Sequence, residues 1–132
     1  RKIMSDKFKV EIITPEKLIL KSEANEVTIP SYEGQMGILR DHIPLITFLR
    51  PGVISIQNQE EEKYFLEEGT VEFSNNNLLI LTSKVYNLAD LNQSAIKDLL
   101  DQAEKKLTEN NASDKEKYLL AYKIDTLKEI SQ

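Results

Sequence analysis

The chain has 132 residues, 40% hydrophobic and 30% charged, with a formal net charge of −5, one histidine and no cysteine. That length suits one domain or a small domain with an appendage, and the composition is ordinary for a soluble folded protein. The acidic balance argues against a nucleic-acid binder, the lack of cysteine excludes disulfides and thiolate metal sites, and no apolar run approaches the ~20 residues that a bilayer-crossing helix needs. No secretory signal is evident at the N-terminus, and Arg1 to Ile3 before Met4 read as either an appended stretch or a processed end.

The first half reads as β-structure. Lys7, Lys9 and Glu11 alternate with Phe8, Val10 and Ile12, a period of two that buries one face. Thr14-Pro15-Glu16 breaks that strand and Leu18-Ile19-Leu20 begins another. Val27 and Ile29 alternate with Glu26 and Thr28 as far as Pro30, which is expected to end the run because it cannot donate to a ladder.

The stretch from Glu33 to Gln57 organises the chain. It carries Gly34, Gly37, Gly52, Pro44, Pro51 and the only histidine, His42, so it must turn sharply between short apolar runs. Ile43 to Leu49 and Val53 to Ile56 read as buried strands of a small sandwich or barrel. A glycine loop cradles phosphate when a helix follows it; Gly34 and Gly37 are followed by more strand, which disfavours that reading. Further strands are expected at Lys63 to Leu66 and Val71 to Phe73, and Asn75-Asn76-Asn77 is a turn because Asn tolerates left-handed backbone. Leu78 to Leu81 is expected to close the set.

From Asn87 onward there is neither Gly nor Pro, and the period changes. Asn87 is expected to cap a helix, with Asp90 reaching back towards it. Leu91, Ala95, Leu99, Ala103 and Leu107, with Ile96 and Leu100 beside them, form one apolar stripe over about five turns. Thr108 to Ala112 is a polar break, after which Ser113 and Glu116 form a capping box for a second helix carrying Leu120, Ile124, Leu127 and Ile130. The short break folds the pair into an antiparallel hairpin.

The predicted fold class is therefore α+β. An N-terminal β-sandwich or flattened barrel of about ten short strands, residues 1–86, precedes a C-terminal antiparallel two-helix hairpin, residues 87–132. Two helices of this length are marginal in water without a surface to pack on. A docking energy of only a few kcal/mol would let a partner shift the hairpin between arrangements, whereas a permanently docked hairpin would merely complete the core.

Catalytic chemistry finds little support. His42 sits beside Asp41, and an Asp-His pair can orient a base, yet no serine nucleophile stands near it in sequence. No His, Asp and Glu cluster has metal-ligand spacing, Glu60-Glu61-Glu62 reads as a solvated hairpin tip, and Tyr118 and Tyr122 share a helix face suited to core or partner packing. No catalytic residue, metal or cofactor is expected.

Three landmarks occur in order: Glu33-Gly34-Gln35-Met36-Gly37-Ile38, then His42-Ile43-Pro44-Leu45, then Arg50-Pro51-Gly52-Val53. They resemble the signature region of the epsilon-subunit family of F-type ATP synthase, whose mitochondrial counterpart is called delta, and the resemblance extends over nearly the whole chain. It implies a non-catalytic rotor subunit whose sandwich binds the gamma subunit and sits on the polar loops of the c ring. The ring-facing residues it implies are Ser31, Tyr32, Glu33, Gly34 and His42, with Glu33 facing a basic c-ring loop. It also implies a hairpin able to enter the catalytic head and block ATP hydrolysis, through Lys115, Lys117, Lys123 and Lys128 against acidic surface on the alpha and beta subunits.

One family property is missing. Some members bind ATP through a Leu/Ile-Asp-x-x-Arg-Ala motif on the first helix. Here the segment is Leu91-Asn92-Gln93-Ser94-Ala95-Ile96, without the acid or the arginine, and no arginine follows Arg50. Lysine lacks the planar fork that suits phosphate, so no ATP site is expected. The resemblance, with no obvious transit peptide, implies a peripheral place on the cytoplasmic face of a bacterial membrane, the alternatives being mitochondrial matrix and chloroplast stroma. The competing reading is a stand-alone β-sandwich adaptor or carbohydrate-binding module with a fixed hairpin, which 7% aromatic content and no tryptophan disfavour in its lectin-like form.

Overall fold

The computed structural model describes residues 6–109 and 111–131. The segment Arg1 to Met4, and Asn110 in the polar break between the helices, lie outside the described residues. Ten strands come first: β1 (Phe8–Ile13), β2 (Leu18–Ala24), β3 (Glu26–Ser31), β4 (Gly34–Leu39), β5 (Leu45–Leu49), β6 (Gly52–Gln57), β7 (Glu61–Leu66), β8 (Gly69–Ser74), β9 (Asn77–Thr82) and β10 (Val85–Asn87). Two helices follow, α1 (Gln93–Leu107) and α2 (Asp114–Ile130).

The strands form one curled sheet in the order β10-β7-β6-β3-β5-β8-β9-β1-β2, with β4 paired to β3 alone. Among the described residues only β1 and β9 run parallel. Period-two alternation sends Val10, Ile12, Val27, Ile29, Ile54, Ile56, Tyr64, Leu66, Phe73 and Ile80 to the inside of the curl, where they make one apolar core. Asn75 and Asn76 adopt positive φ in the turn between β8 and β9, as expected of that asparagine run.

Several sequence expectations need correction. Pro30 does not end its strand but lies within β3. The N–H and C=O of one strand residue point to the same side, and the Pro30 carbonyl accepts from the Arg50 N–H at 3.0 Å. On that side β3 changes partner, from β6 up to Thr28 to β5 at Ser31, so no ladder donor is needed at Pro30. Gly52 makes this crossing possible: a Cβ there would stand 2.7 Å from the Pro30 Cβ.

The run Ile43 to Leu49 is strand only from Leu45, and it is not buried on both faces: Ile43, Ile46 and Phe48 are 74%, 78% and 65% exposed. Leu78 to Leu81 does not close the set either, because β10 follows and pairs with β7 through Tyr86 and Phe65. Three residues are too few for alternation to announce a strand.

Asn87 caps only a single 3-10 turn, Leu88–Asp90, by accepting from the Ala89 N–H at 3.0 Å. The α-helix starts later, because Asn92 is also extended and its side chain accepts from the Ala95 N–H at 2.8 Å. Leu91 thus precedes α1, which is 15 residues long, nearer four turns than five. The Ser113–Glu116 capping box of α2 is present as expected.

Candidate functional site

The outside of the curled sheet is divided in two. On β7, Tyr64 and Leu66 point inward, so Phe65 between them must point out. Phe65 is nevertheless fully buried, because the helical hairpin covers it. It shares a second apolar cluster with Ile96 of α1 and Leu127 of α2, edged by Tyr86, Leu88, Leu91, Leu99, Leu100 and Ile130, and its ring stacks on Tyr86 at 5.9 Å. The helix stripes therefore bury against the outer face of β10-β7-β6, outside the sandwich core.

At the first half of α2 the contact becomes aromatic and charged. Tyr118 packs against Tyr122 and against Tyr32 of the β3–β4 turn, with ring centroids 5.0 and 5.8 Å apart, and Tyr32 in turn meets Phe48 at 6.3 Å. Partial burial, with Glu68 and Tyr118 nearby, raises the pKa of Tyr32. The Arg50 guanidinium lies over the Tyr122 ring at 4.1 Å. Beside it, Lys123 Nζ pairs with Glu67 at 3.1 Å, both side chains less than a quarter exposed. Of the lysines expected to meet a partner, Lys115, Lys117 and Lys128 are exposed, while Lys123 is occupied.

Acid is expected to loosen the start of α2. Hydrogen bonds from the Ser113 backbone and side chain, then Lys106 nearby, lower the pKa of Glu116 below its usual 4.5. A depressed carboxyl pKa stabilises the fold above its ordinary value, and that contribution disappears as pH falls through the depressed one. Protection of the Ser113 and Glu116 amides, relative to their intrinsic exchange, should therefore fall as pH drops below the ordinary carboxylate range, and Glu116→Gln should flatten the dependence.

The other half of the outer surface is uncovered. Register places Phe48, Thr70, Leu81, Ile13 and Leu18 in one row across β5, β8, β9, β1 and β2. Leu81 and Leu18 are exposed like Phe48, and in the next row Ile46 and Leu79 add apolar surface but alternate with Glu72 and Glu11.

Ser31, Tyr32, Glu33 and Gly34 form the tip of the β3–β4 hairpin. The Ser31 hydroxyl donates to the Gly34 carbonyl at 2.7 Å and accepts from the Glu33 N–H at 3.2 Å, and Gly34 takes φ of +120°. His42 follows Leu39 at the opposite end of β4, so these residues do not come together as one patch; six strand residues separate them by roughly 17–20 Å. His42 Nδ1 lies 2.7 Å from the Ile43 carbonyl oxygen and its ring meets Phe73 edge-on, while Asp41 accepts from Asn76 at 2.9 Å. Those contacts give the aspartate a partner other than the histidine.

Leu91, Asn92, Ala95 and Ile96 lie at the entry to α1, where Asn92 caps the helix and Leu91 and Ile96 belong to the seam under the hairpin. Among the described residues no group of three or more His, Cys, Asp or Glu could hold a metal ion, and no helix is long and apolar enough to cross a membrane. Sequence reasoning missed Arg50 and Tyr32 as hairpin contacts and missed the apolar row. The doubly apolar Leu45–Leu49 run signalled the latter; the cross-sheet register that aligns it did not show.

Residues 7–87 match the family described as ATP synthase, Delta/Epsilon chain, beta-sandwich domain. The ATP synthase epsilon chain of Pelagibacter ubique is 47% identical over 130 residues, 97% of this chain and all of that one. The mitochondrial ATP synthase subunit delta of Schizosaccharomyces pombe is 40% identical over 97 residues, 71% of this chain and 56% of that one. In fold the chain resembles a subunit in the mitochondrial ATP synthase of Euglena gracilis, with TM-score 0.80 and 18% identity over all of this chain and 85% of that one. A chain in the central stalk and c-ring structure from Tetrahymena thermophila gives TM-score 0.67 and 16% identity over 94% and 96% of the two chains. Together, the match over the curled sheet and the 47% identity to the Pelagibacter ubique chain along its full length mean that this chain belongs to the ATP synthase delta/epsilon chain family.

Proposed function

We propose that this chain couples gamma to the c ring in the rotor, with residues 1–86 as a rigid anchor and residues 87–132 as a separable hairpin. Family membership makes it a non-catalytic central-stalk subunit of ATP synthase. The observation that carries the gamma contact is the uncovered apolar face around Ile46, Phe48, Leu81 and Leu18. Its counterpart across the curl is sealed by the hairpin.

Of the two loops that the resemblance implies for the ring, we assign the contact to the His42 end. Leu39 and Ile43 are exposed there, whereas Tyr32 at the other end is engaged by α2. Glu33 then serves as a turn residue beside the hairpin. No ATP site is assigned at residues 91–96, since Asn92 is used as a cap and Ile96 is buried in the seam. A peripheral position on the cytoplasmic side of a bacterial membrane fits the kinship with bacterial epsilon chains.

The hairpin is assigned as a brake on ATP hydrolysis, with Lys115, Lys117, Lys123 and Lys128 meeting acidic surface on the catalytic subunits. Support comes from its position on a surface distinct from the sandwich core. The complex with the full chain should hydrolyse ATP more slowly than the complex with a chain ending at Asn87, both showing equal retention of gamma. Equal rates would remove the brake.

A further inference from the structure

The cluster at the first half of α2 carries a step beyond docking. An apolar seam grips without direction, whereas a cation over a ring and an ion pair each need a particular partner at a particular place. Here both occur on successive residues of one helix: Tyr122 under Arg50 at 4.1 Å, and Lys123 on Glu67 at 3.1 Å. Both sandwich partners are held by the sheet. Arg50 is tied through its backbone N–H to Pro30, and Glu67 through its backbone N–H to the Lys84 carbonyl. The pair is also largely shielded from water, which strengthens it relative to an exposed ion pair.

We propose that Arg50 and Glu67 are a latch that holds the hairpin docked through Tyr122 and Lys123. Lys123 must leave Glu67 before it can touch any acidic partner. The latch and the braking contact are thus mutually exclusive uses of one ammonium group, and the balance between them sets the fraction of chains whose hairpin is free. Only this last clause rests on the brake assigned above; the latch itself is a property of the isolated chain.

Amide hydrogen exchange on the full chain tests it, with β1 and β9 as the internal reference. Arg50→Gln and Glu67→Gln should each speed exchange throughout α1 and α2 by about 5- to 30-fold and leave the reference strands unchanged. Tyr122→Phe, which keeps the ring face, should behave as the parent, and Tyr122→Leu, which also loses the edge contact with Tyr118, should speed exchange at least as much as Arg50→Gln. Adding Arg50→Gln to Tyr122→Leu should add nothing further, because the ring beneath the guanidinium is already gone. Unchanged helix exchange, acceleration spread equally into β1 and β9, or additive effects in the double variant would overturn the latch. In the assembled complex, Glu67→Gln should slow ATP hydrolysis by freeing the hairpin. Faster helix exchange with unaltered hydrolysis would keep the latch and reject the brake.

Discussion

Phe65→Ala is expected to undock the hairpin while the sandwich stays folded. Phe65 is the large apolar side chain of β7 that leaves the sandwich core, and it is buried by what packs on the outer face: Ile96, Leu127, the stacked Tyr86 and the apolar residues edging them. Truncating a buried phenylalanine costs ~3–5 kcal/mol. Helices of 15 and 17 residues have little stability of their own in water, so a loss of that size falls on the docking equilibrium. Circular dichroism should show a low-temperature loss of helix ahead of the sheet transition, and α1 and α2 amides should exchange near unfolded rates. Val71→Ala provides the contrast. Val71 lies in the sandwich core, so its truncation should lower the sheet transition instead. One merged transition in the Phe65 variant would mean that the two apolar clusters unfold as a unit.

Gly69→Ala is expected to damage the sandwich itself, by about 3 kcal/mol, towards the upper end for overpacking. Gly69 pairs with Leu49 and with Thr82 at the start of β8. A Cβ on it would run into the Leu81 carbonyl oxygen and stand 3.1 Å from the Thr82 Cβ. The nearest obstacle is backbone, which cannot rotate aside as a flexible side chain can, so β8 and β9 must separate locally. Thr82 is a poor place for such a shift, since its hydroxyl donates to Glu68 at 2.6 Å. Chemical denaturation should show a lower midpoint with an unchanged slope, and Gly37→Ala, whose Cβ would meet only the end of the Glu26 side chain, should be far milder.

Legibility followed the range of the interaction that decides each feature. Alternation in Phe8–Ile13 and the Ser113–Glu116 box are local, and both were readable. The position of Pro30 was not, because its tolerance depends on β3 exchanging β6 for β5 along one edge, a long-range pairing. Asn87 and Asn92 are equally good caps on paper; the short turn Leu88–Asp90 between them decides which begins the α-helix. The candidate site divides in the same way. Its residue types and family resemblance were visible, yet the separation of His42 from Ser31–Gly34 follows from strand direction, and Arg50 meets Tyr122 only because the hairpin folds back.

On the function proposed above, the sheet's uncovered face, not the hairpin, holds this subunit to the rotor. Capture of gamma from an assembled complex, using the full chain and a Phe48→Glu, Leu81→Glu double variant, tests it most directly. Both substituted residues are exposed, so the fold should survive. The parent should retain gamma, Phe65→Ala should retain it too, and the double variant should lose it. Retention by the folded double variant, or loss in Phe65→Ala, would contradict the claim.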